Sequence, residues 1–220
     1  MSVIELIGNE TAPVIIFDDW VTQPEFLVDD AAMLSFAPMG IHYPGIRARV
    51  SQRILAPMLR DLAPTIADVF GYKQIAIADA FYSLVTTQPT ALTPIQRIPH
   101  FDGVEPERLA LLHYLAPEVL GGTAFYRHRA TSFESVTPNR LQQYRQTLDA
   151  DLAREGAPEP AYIARDTAMF EQIARFDGPF NRAILYRSNS LHCAWLPSGT
   201  AFDADPRSGR LTLNTFLDCR

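Results

Sequence analysis

Hydrophobic and polar positions divide the chain into a first third with helical spacing and a longer remainder with the alternation typical of β-strands. In the first third, residues 14–20 are predicted as a strand, and residues 24–36 and 53–70 as helices. A proline at the start of the first helix and Gly71 after the second are typical helix boundaries. Residues 1–73 are therefore predicted to form a helical support region.

The remainder, residues 74–217, contains short runs that favour strands. These strands are predicted at residues 75–87, 108–116, 123–127, 182–187, 191–196 and 210–217. Between them, residues 138–178 have the apolar spacing of helices. The apolar residues that define two helical faces are Leu141, Tyr144, Leu148 and Leu152 on the first, and Met169, Ile173 and Phe176 on the second.

Many short strands without regular β–α alternation predict a closed or double-sheet architecture. We expect a single domain over residues 1–220, mainly β with flanking helices, in the α+β class. Its core over residues 74–217 would be a cupin-like jelly roll, that is, a double-stranded β-helix. The N-terminal helices would pack beside it, and a helical insertion would interrupt it at about residues 138–178.

Composition and charge narrow the class of protein. The chain has 220 residues, 47% of them hydrophobic and 20% charged, as expected for a globular protein with its own core. No apolar run reaches the roughly eighteen residues of a membrane span, and no secretion signal is predicted at the N-terminus. Because Cys193 and Cys219 are the only cysteines, we expect a reducing, cytoplasmic location.

The charge balance also bears on partners. The chain carries 19 basic against 25 acidic residues, a net charge of −6, and no basic stripe. Proteins that bind duplex nucleic acid usually have the opposite balance. We therefore expect neither nucleic acid nor membrane as a partner, while a homodimer is compatible with the sequence.

The first candidate for chemistry is the triplet His100-Phe101-Asp102. Side chains two residues apart on a strand share a face, so His100 and Asp102 would converge while Phe101 packs the other way. An imidazole and a carboxylate from one segment supply half of a metal site. Taken alone the triplet is a weak signal, because a histidine often simply pairs with a nearby acid.

His192 supplies a second imidazole, at the start of a strand that follows a turn at residues 188–190. From there it can reach across a barrel to His100 and Asp102. Two histidines and one carboxylate form the facial triad typical of non-haem Fe(II) sites. Without the other two residues, His192 is more simply interpreted as a hydrogen-bonded residue at a strand end.

The last predicted strand has one polar and one apolar face. Its alternation places Arg210, Thr212, Asn214 and Phe216 together, opposite three leucines. Beside a metal, such a face would form a wall for a carboxylate, because a guanidinium offers two parallel hydrogen bonds and a counter-charge. The alternative is a strand face turned to solvent.

Six elements in chain order carry a resemblance to a known family. They are Tyr82 with Gln88, the pair His100 and Asp102, the strand from Arg108 to Leu115, the Gly-Gly-x-x-Phe run at residues 121–125, the Ser190-Leu191-His192 triplet, and finally Arg210, Asn214 and Phe216. Their order over residues 81–217 resembles the prolyl-4-hydroxylase-like branch of the Fe(II)/2-oxoglutarate-dependent dioxygenases. The chain is also similar to small bacterial members of that branch, a likeness that indicates no substrate.

The resemblance implies specific roles for these residues. His100, Asp102 and His192 would be the catalytic ligands of Fe(II), and Arg210 would hold the distal carboxylate of 2-oxoglutarate. The remaining cosubstrate contacts that it implies are Tyr82, Tyr114, Thr123 and Asn214. Three departures weaken the assignment of Arg210: prolyl hydroxylases usually have lysine there, and the 90 residues from Asp102 to His192 and the 18 from His192 to Arg210 are long intervals.

The resemblance implies an oxygenase that uses dioxygen and 2-oxoglutarate and releases succinate and CO2. Because Asp102 is present, hydroxylation, demethylation or desaturation is expected rather than halogenation. The substrate would be a small molecule or the side chain of a peptide or protein. The alternative is a non-catalytic, cupin-like binding protein with a metal or small-ligand site. Of the other histidines, His113 is expected to be structural, and His128 to lie in solvent or at the mouth of the site.

Overall fold

Two antiparallel sheets and three α-helices make up the computed structural model, which describes residues 2–220. The helices are α1 (Pro24–Ala32), α2 (Gln52–Phe70) and α3 (Pro138–Glu155). The strands are β1 (Ser2–Ile7), β2 (Ala12–Phe17), β3 (Gly45–Arg49), β4 (Ile75–Val85), β5 (Arg108–Tyr114), β6 (Gly122–His128), β7 (Phe170–Asp177), β8 (Ala183–Arg187), β9 (His192–Trp195) and β10 (Leu211–Cys219).

The larger sheet has seven strands in the order β1-β2-β8-β5-β10-β4-β3, and the smaller has three in the order β7-β6-β9. A cluster that includes Leu112 and Ile184 of the larger sheet and Phe125 and Phe176 of the smaller fills the space between them. The mixed α+β class and the double-sheet architecture are thus confirmed.

Helices cover the outer face of each sheet. On the larger sheet, Leu62, Ile66 and Phe70 of α2 pack against outward-facing residues of β5, β8 and β10. On the smaller sheet, Tyr144 and Leu148 of α3 pack against β6 and β7. The sheets therefore lie between helical layers, which bury their apolar outer faces.

The N-terminal third differs from its prediction. Both predicted helices are present, and α2 ends at Phe70, directly before Gly71, whose positive φ of 79° favours glycine. However, residues 1–73 also contain β1 and β3, which the pattern did not predict, in addition to β2. This region is thus not purely helical, because its three strands extend the larger sheet at both edges.

The second half of the predicted helical insertion is also corrected. Residues 138–155 are helical as expected, but Phe170–Asp177 is strand β7, paired with β6. Phe125 lies opposite Ala174 and Tyr126 opposite Gln172, so Ile173 is an extra residue in the strand. This bulge interrupts the two-residue alternation, and the apolar spacing therefore resembled that of a helix.

The packing of α2 gives a test of this layer arrangement. Replacing Leu62, which is 1% exposed, by alanine leaves a cavity between α2 and the larger sheet. We expect the free energy of unfolding to fall by about 2–5 kcal/mol, measured by urea denaturation. The control is Arg60→Ala at an exposed position on the same helix, expected within about 0.5 kcal/mol of the native chain. Equal effects of the two substitutions would contradict this packing.

Candidate metal centre

His100 and His192 are brought together by their own backbones. The amide of His100 donates to the carbonyl of His192, and the amide of His192 donates to the carbonyl of His100, both at 2.8 Å. Residues paired in this way on antiparallel strands project their side chains to the same face. As a result, the centroids of the two imidazole rings lie 4.5 Å apart.

Asp102 joins the two histidines from the same segment as His100. Its amide donates to the carbonyl of Ser188 at 2.8 Å, which continues the pairing alongside the turn before β9. One carboxylate oxygen lies 3.6 Å from Nε2 of His100, and the other lies 3.3 Å from Nε2 of His192. Phe101 packs instead near Tyr144, with ring centroids 6.0 Å apart, as the alternation predicted.

The three side chains resemble a facial metal-binding site. One possible ligand atom from each lies within 4.8 Å of the others, and no other group of this kind occurs in residues 2–220. The Nδ1 of His192 lies 2.9 Å from the carbonyl of Ser190, to which it donates in the tautomer that leaves Nε2 free as a ligand. The donor set fits the two-histidine, one-carboxylate pattern of non-haem Fe(II).

The electrostatics of the triad favour an ionised carboxylate. Burial raises the pKa of Asp102, but the nearby His192 and His100 lower it by more, so the net pKa lies well below its ordinary value. Burial lowers the pKa of His192, yet the Asp102 carboxylate raises it above its ordinary value. The pKa of His100 is lowered by desolvation and by His192. The triad therefore contains an ionised carboxylate that attracts positive charge, here from His192.

The triad lies in the wall of a cavity of about 740 Å³. Strand β10 contributes Thr212, Asn214 and Phe216 to this wall, so the predicted polar face of the strand is turned inward. Its leucines face α1 and α2 instead. The cavity is large enough for a small-molecule ligand, since such pockets span roughly 300–1,000 Å³.

Arg210 lies in the same wall, just before β10, and only 5% of it is exposed. Its Nη2 donates to the carbonyl of Gly122 at 2.7 Å, and among residues 2–220 no carboxylate lies within 4.0 Å of its guanidinium. Thr123 also lines the cavity, and its hydroxyl is hydrogen-bonded to that of Tyr114 at 2.7 Å. The predicted residues Arg210, Thr123 and Asn214 thus share the cavity, and Tyr114 lies one hydrogen bond behind it.

Tyr82, unlike Tyr114, lies on the far side of the larger sheet from the cavity. It is fully buried on the opposite face of β4, in the cluster that packs against α1 and α2. Phe81 and Asp79, on the other face of the strand, line the cavity. The resemblance pointed to the tyrosine, whereas the alternation along β4 turns its neighbours toward the site.

Arg47 of β3 also lines the cavity, although the sequence pattern did not single it out. Residues 45–49 form a short edge strand with no clear alternation, so nothing in the sequence placed them beside the triad. The only available signal was the abundance of arginine over lysine, which does not distinguish one arginine from another.

The remaining histidines lie outside the site. His113 is fully buried and its Nε2 lies 3.1 Å from the side-chain oxygen of Asn181, in agreement with the structural role predicted for it. His128 was expected in solvent or at the site mouth, and this is wrong. It is fully buried, with Nε2 3.0 Å from a carboxylate oxygen of Asp151, because α3 packs over its strand.

Sequence comparison assigns the chain to a family. The model of a family of unknown function, DUF6445, matches residues 2–217. The chain belongs to this family. A search of curated proteins found no match to this DUF6445 member. No helix among residues 2–220 is both long and apolar enough to cross a membrane.

Comparison with solved structures shows which proteins have a fold similar to that of this DUF6445 member. HygX from Streptomyces hygroscopicus, solved with nickel and 2-oxoglutarate bound, superposes with a TM-score of 0.53 at 11% identity, covering 95% of this chain and 84% of HygX. The epimerase SnoN, solved with Fe3+, alpha ketoglutarate and nogalamycin RO, gives 0.51 at 12% identity, covering 93% and 78%. The fold is therefore similar to the double-stranded β-helix of 2-oxoglutarate-dependent enzymes.

The burial of His113 predicts a specific pH dependence of stability. Burial lowers its pKa from 6.5 to about 4, so between these values the unfolded chain binds a proton that the folded chain does not. The free energy of unfolding should therefore fall as the pH is lowered through this range, by up to about 1.4 kcal/mol per pH unit from this residue.

The test compares the native chain with His113→Gln, which can still donate to Asn181 but does not titrate. Urea denaturation at several pH values between 4 and 6.5 should give a shallower dependence for the variant. Parallel curves for the two proteins would show that His113 is not the titrating group.

Proposed function

We propose that this chain is an Fe(II)- and 2-oxoglutarate-dependent oxygenase that hydroxylates or otherwise oxidises its substrate and releases succinate and CO2. The observation that carries the proposal is the convergence of His100, Asp102 and His192 in the wall of a cavity that also contains the unpaired, buried Arg210. HygX and SnoN, which share the fold, were solved with 2-oxoglutarate (alpha ketoglutarate) bound, and this supports the proposal at the level of the fold.

The triad would hold Fe(II) through two imidazole nitrogens and one carboxylate oxygen. When bound, the metal and cosubstrate supply the oxidising chemistry, in which dioxygen is consumed and 2-oxoglutarate is decarboxylated. The residues of the chain contribute position and charge. The carbonyl of Ser190 orients the ring of His192, and the backbone pairing with His192 fixes His100.

Arg210 would bind the distal carboxylate of 2-oxoglutarate. A guanidinium withdrawn from water without a counter-charge is costly, and a carboxylate ligand would remove this cost. The hydroxyl of Thr123, held by Tyr114, and the side chain of Asn214 would complete the polar end of the cavity.

The aromatic part of the wall would exclude water from the reacting atoms. Phe81, Phe101, Tyr144 and Tyr186 all line the cavity. Their rings provide an apolar surface on which a substrate C–H bond could be held near the metal. Dioxygen and a small-molecule or peptide side-chain substrate are therefore the remaining partners that we propose.

Anaerobic spectroscopy tests the cofactor assignment. Adding Fe(II) and then 2-oxoglutarate to the purified chain should produce a visible metal-to-ligand charge-transfer band. Asp102→Ala should abolish the band, because it removes the only carboxylate of the triad. The matched control is Asp68→Ala, an exposed aspartate on α2 beyond the opposite face of the larger sheet, which should leave the band intact.

The same band tests the role of Arg210. Titration of 2-oxoglutarate into the Fe(II)-loaded Arg210→Gln variant should show an affinity at least about 30-fold weaker, which corresponds to about 2 kcal/mol for the lost charge pair. An unchanged affinity would remove Arg210 from the cosubstrate site.

Succinate release separates an oxygenase from a non-catalytic binding protein. In air, the loaded native chain should convert 2-oxoglutarate slowly to succinate even without substrate, and Asp102→Ala should not. A chain that binds Fe(II) through the triad but neither responds to 2-oxoglutarate nor releases succinate would be a metal-binding protein without redox activity.

A further inference from the structure

The cavity is basic although the chain as a whole is acidic. Its lining includes the four arginines Arg47, Arg108, Arg145 and Arg210, against the two aspartates Asp79 and Asp102. The whole chain, by contrast, has a net charge of −6. The concentration of arginine in one concave surface favours anionic ligands there.

The acidic groups of the lining are already engaged. Asp79 pairs with Arg49 at 2.7 Å, and Asp102 lies between the two histidines of the triad. Arg108, in turn, pairs with Asp218 at 2.8 Å. Neither aspartate lies within 4.0 Å of Arg47, and neither does any other carboxylate of residues 2–220.

Arg47 is held firmly in the cavity wall. Its backbone exchanges two hydrogen bonds with Ala37, at 2.9 and 3.0 Å, which fix the outer edge of β3. In register it lies opposite Ser83 of β4, which in turn lies opposite Thr212 of β10. The three residues form a polar row across the inner face of the sheet, because directly opposed residues share a face.

The flat face of the Arg47 guanidinium contacts aromatic rings, whereas its Nε has no hydrogen-bond partner. It stacks 3.9 Å from the centroid of the Tyr43 ring and 5.5 Å from that of Phe81. Its buried Nε has no hydrogen-bond partner, and the buried hydroxyls of Tyr43 and Ser83 have none either. Stacking fixes the plane of a guanidinium but leaves its N–H groups available to a planar or tetrahedral anion.

We propose that Arg47, with the hydroxyl of Tyr43, binds the carboxylate or phosphate group of an anionic small-molecule substrate. This inference rests on the proposed function, in which Arg210 is assigned to the cosubstrate, so that a second unpaired arginine indicates a second anion. Arg47 and all three residues of the triad line the same cavity. A substrate anchored at Arg47 would therefore occupy the cavity that contains the triad.

Phenyl phosphate and phenylacetate are suitable probes, because each joins an anionic group to a ring that the aromatic wall can contact. Benzyl alcohol is the matched neutral probe. Binding is measured by isothermal titration calorimetry to the metal-free chain and, anaerobically, to the chain loaded with Fe(II) and 2-oxoglutarate. We expect one anion per chain in the loaded form, in which 2-oxoglutarate occupies Arg210, and an additional anion at Arg210 in the metal-free form.

Arg47→Gln should weaken binding of the two anions at least tenfold and leave any binding of benzyl alcohol unchanged. Arg60→Gln, at an exposed position on α2, is the matched control and should bind the anions as the native chain does. Arg47→Lys keeps the charge without the planar fork and should give an intermediate loss. Circular dichroism melting of each variant establishes whether it is folded. If Arg47→Gln does not fold, Arg47→Lys serves as the test variant.

Three results would overturn the inference. The first is that the native chain binds no anion in either form, and the second is that Arg47→Gln and Arg60→Gln lose the same amount of anion affinity. The third is a tenfold weaker affinity for 2-oxoglutarate in the Arg47 variants, because this would place Arg47 in the cosubstrate site.

Failure of the proposed function is recognised separately. A native chain without the charge-transfer band whose metal-free form binds the anions through Arg47 would retain the anion site and lose the oxygenase assignment.

Discussion

The two backbone hydrogen bonds between His100 and His192 are the constraint on which the candidate site depends. They pair two residues that are 92 positions apart in sequence and place both imidazoles on one face. Asp102 then reaches the same face through the two-residue period of an extended strand. Three ligand groups are thus positioned by only two backbone segments, and their arrangement follows from sheet pairing rather than from flexible side chains. A site of this kind is organised by folding, before any ligand binds.

The second organising feature is the distribution of charge. The chain is acidic overall, yet four arginines line one cavity. The two aspartates of that lining lie against Arg49 and against the histidines of the triad, and not against Arg47 or Arg210. Arg210 is buried and its guanidinium donates to the carbonyl of Gly122, whereas Arg47 is stacked on Tyr43 with an unpartnered Nε. Neither arrangement adds stability by itself, because a charge withdrawn from water without a counter-charge is costly. A ligand that supplied the counter-charge would remove this cost, as we propose for both arginines.

Predictions from local patterns were correct where they depended only on the alternation within one strand. The alternation of residues 210–217 predicted that Arg210 and Asn214 share a face, and both line the cavity. Local patterns failed where a partner strand changed the local geometry. The bulge at Ile173 gave a strand the apolar spacing of a helix. The error at Tyr82 had a different cause, because the family resemblance indicated this residue although the pleat of β4 turns it toward the helices. His128 was predicted to be exposed because it lies between two arginines in sequence, and its own segment does not indicate that α3 packs over it.

The sequence by itself determined the main strands and helices, the pairing of His100 and Asp102 on one face, and the polar face that includes Arg210. These features depend on periodicity within a few consecutive residues, which a single segment contains in full. Only the tertiary structure decided that His192 lies opposite His100 and that Arg47 lines the same cavity. Strand order and register between distant segments set those contacts, and they arise from the joint burial of two sheets and their covering helices rather than from any local pattern.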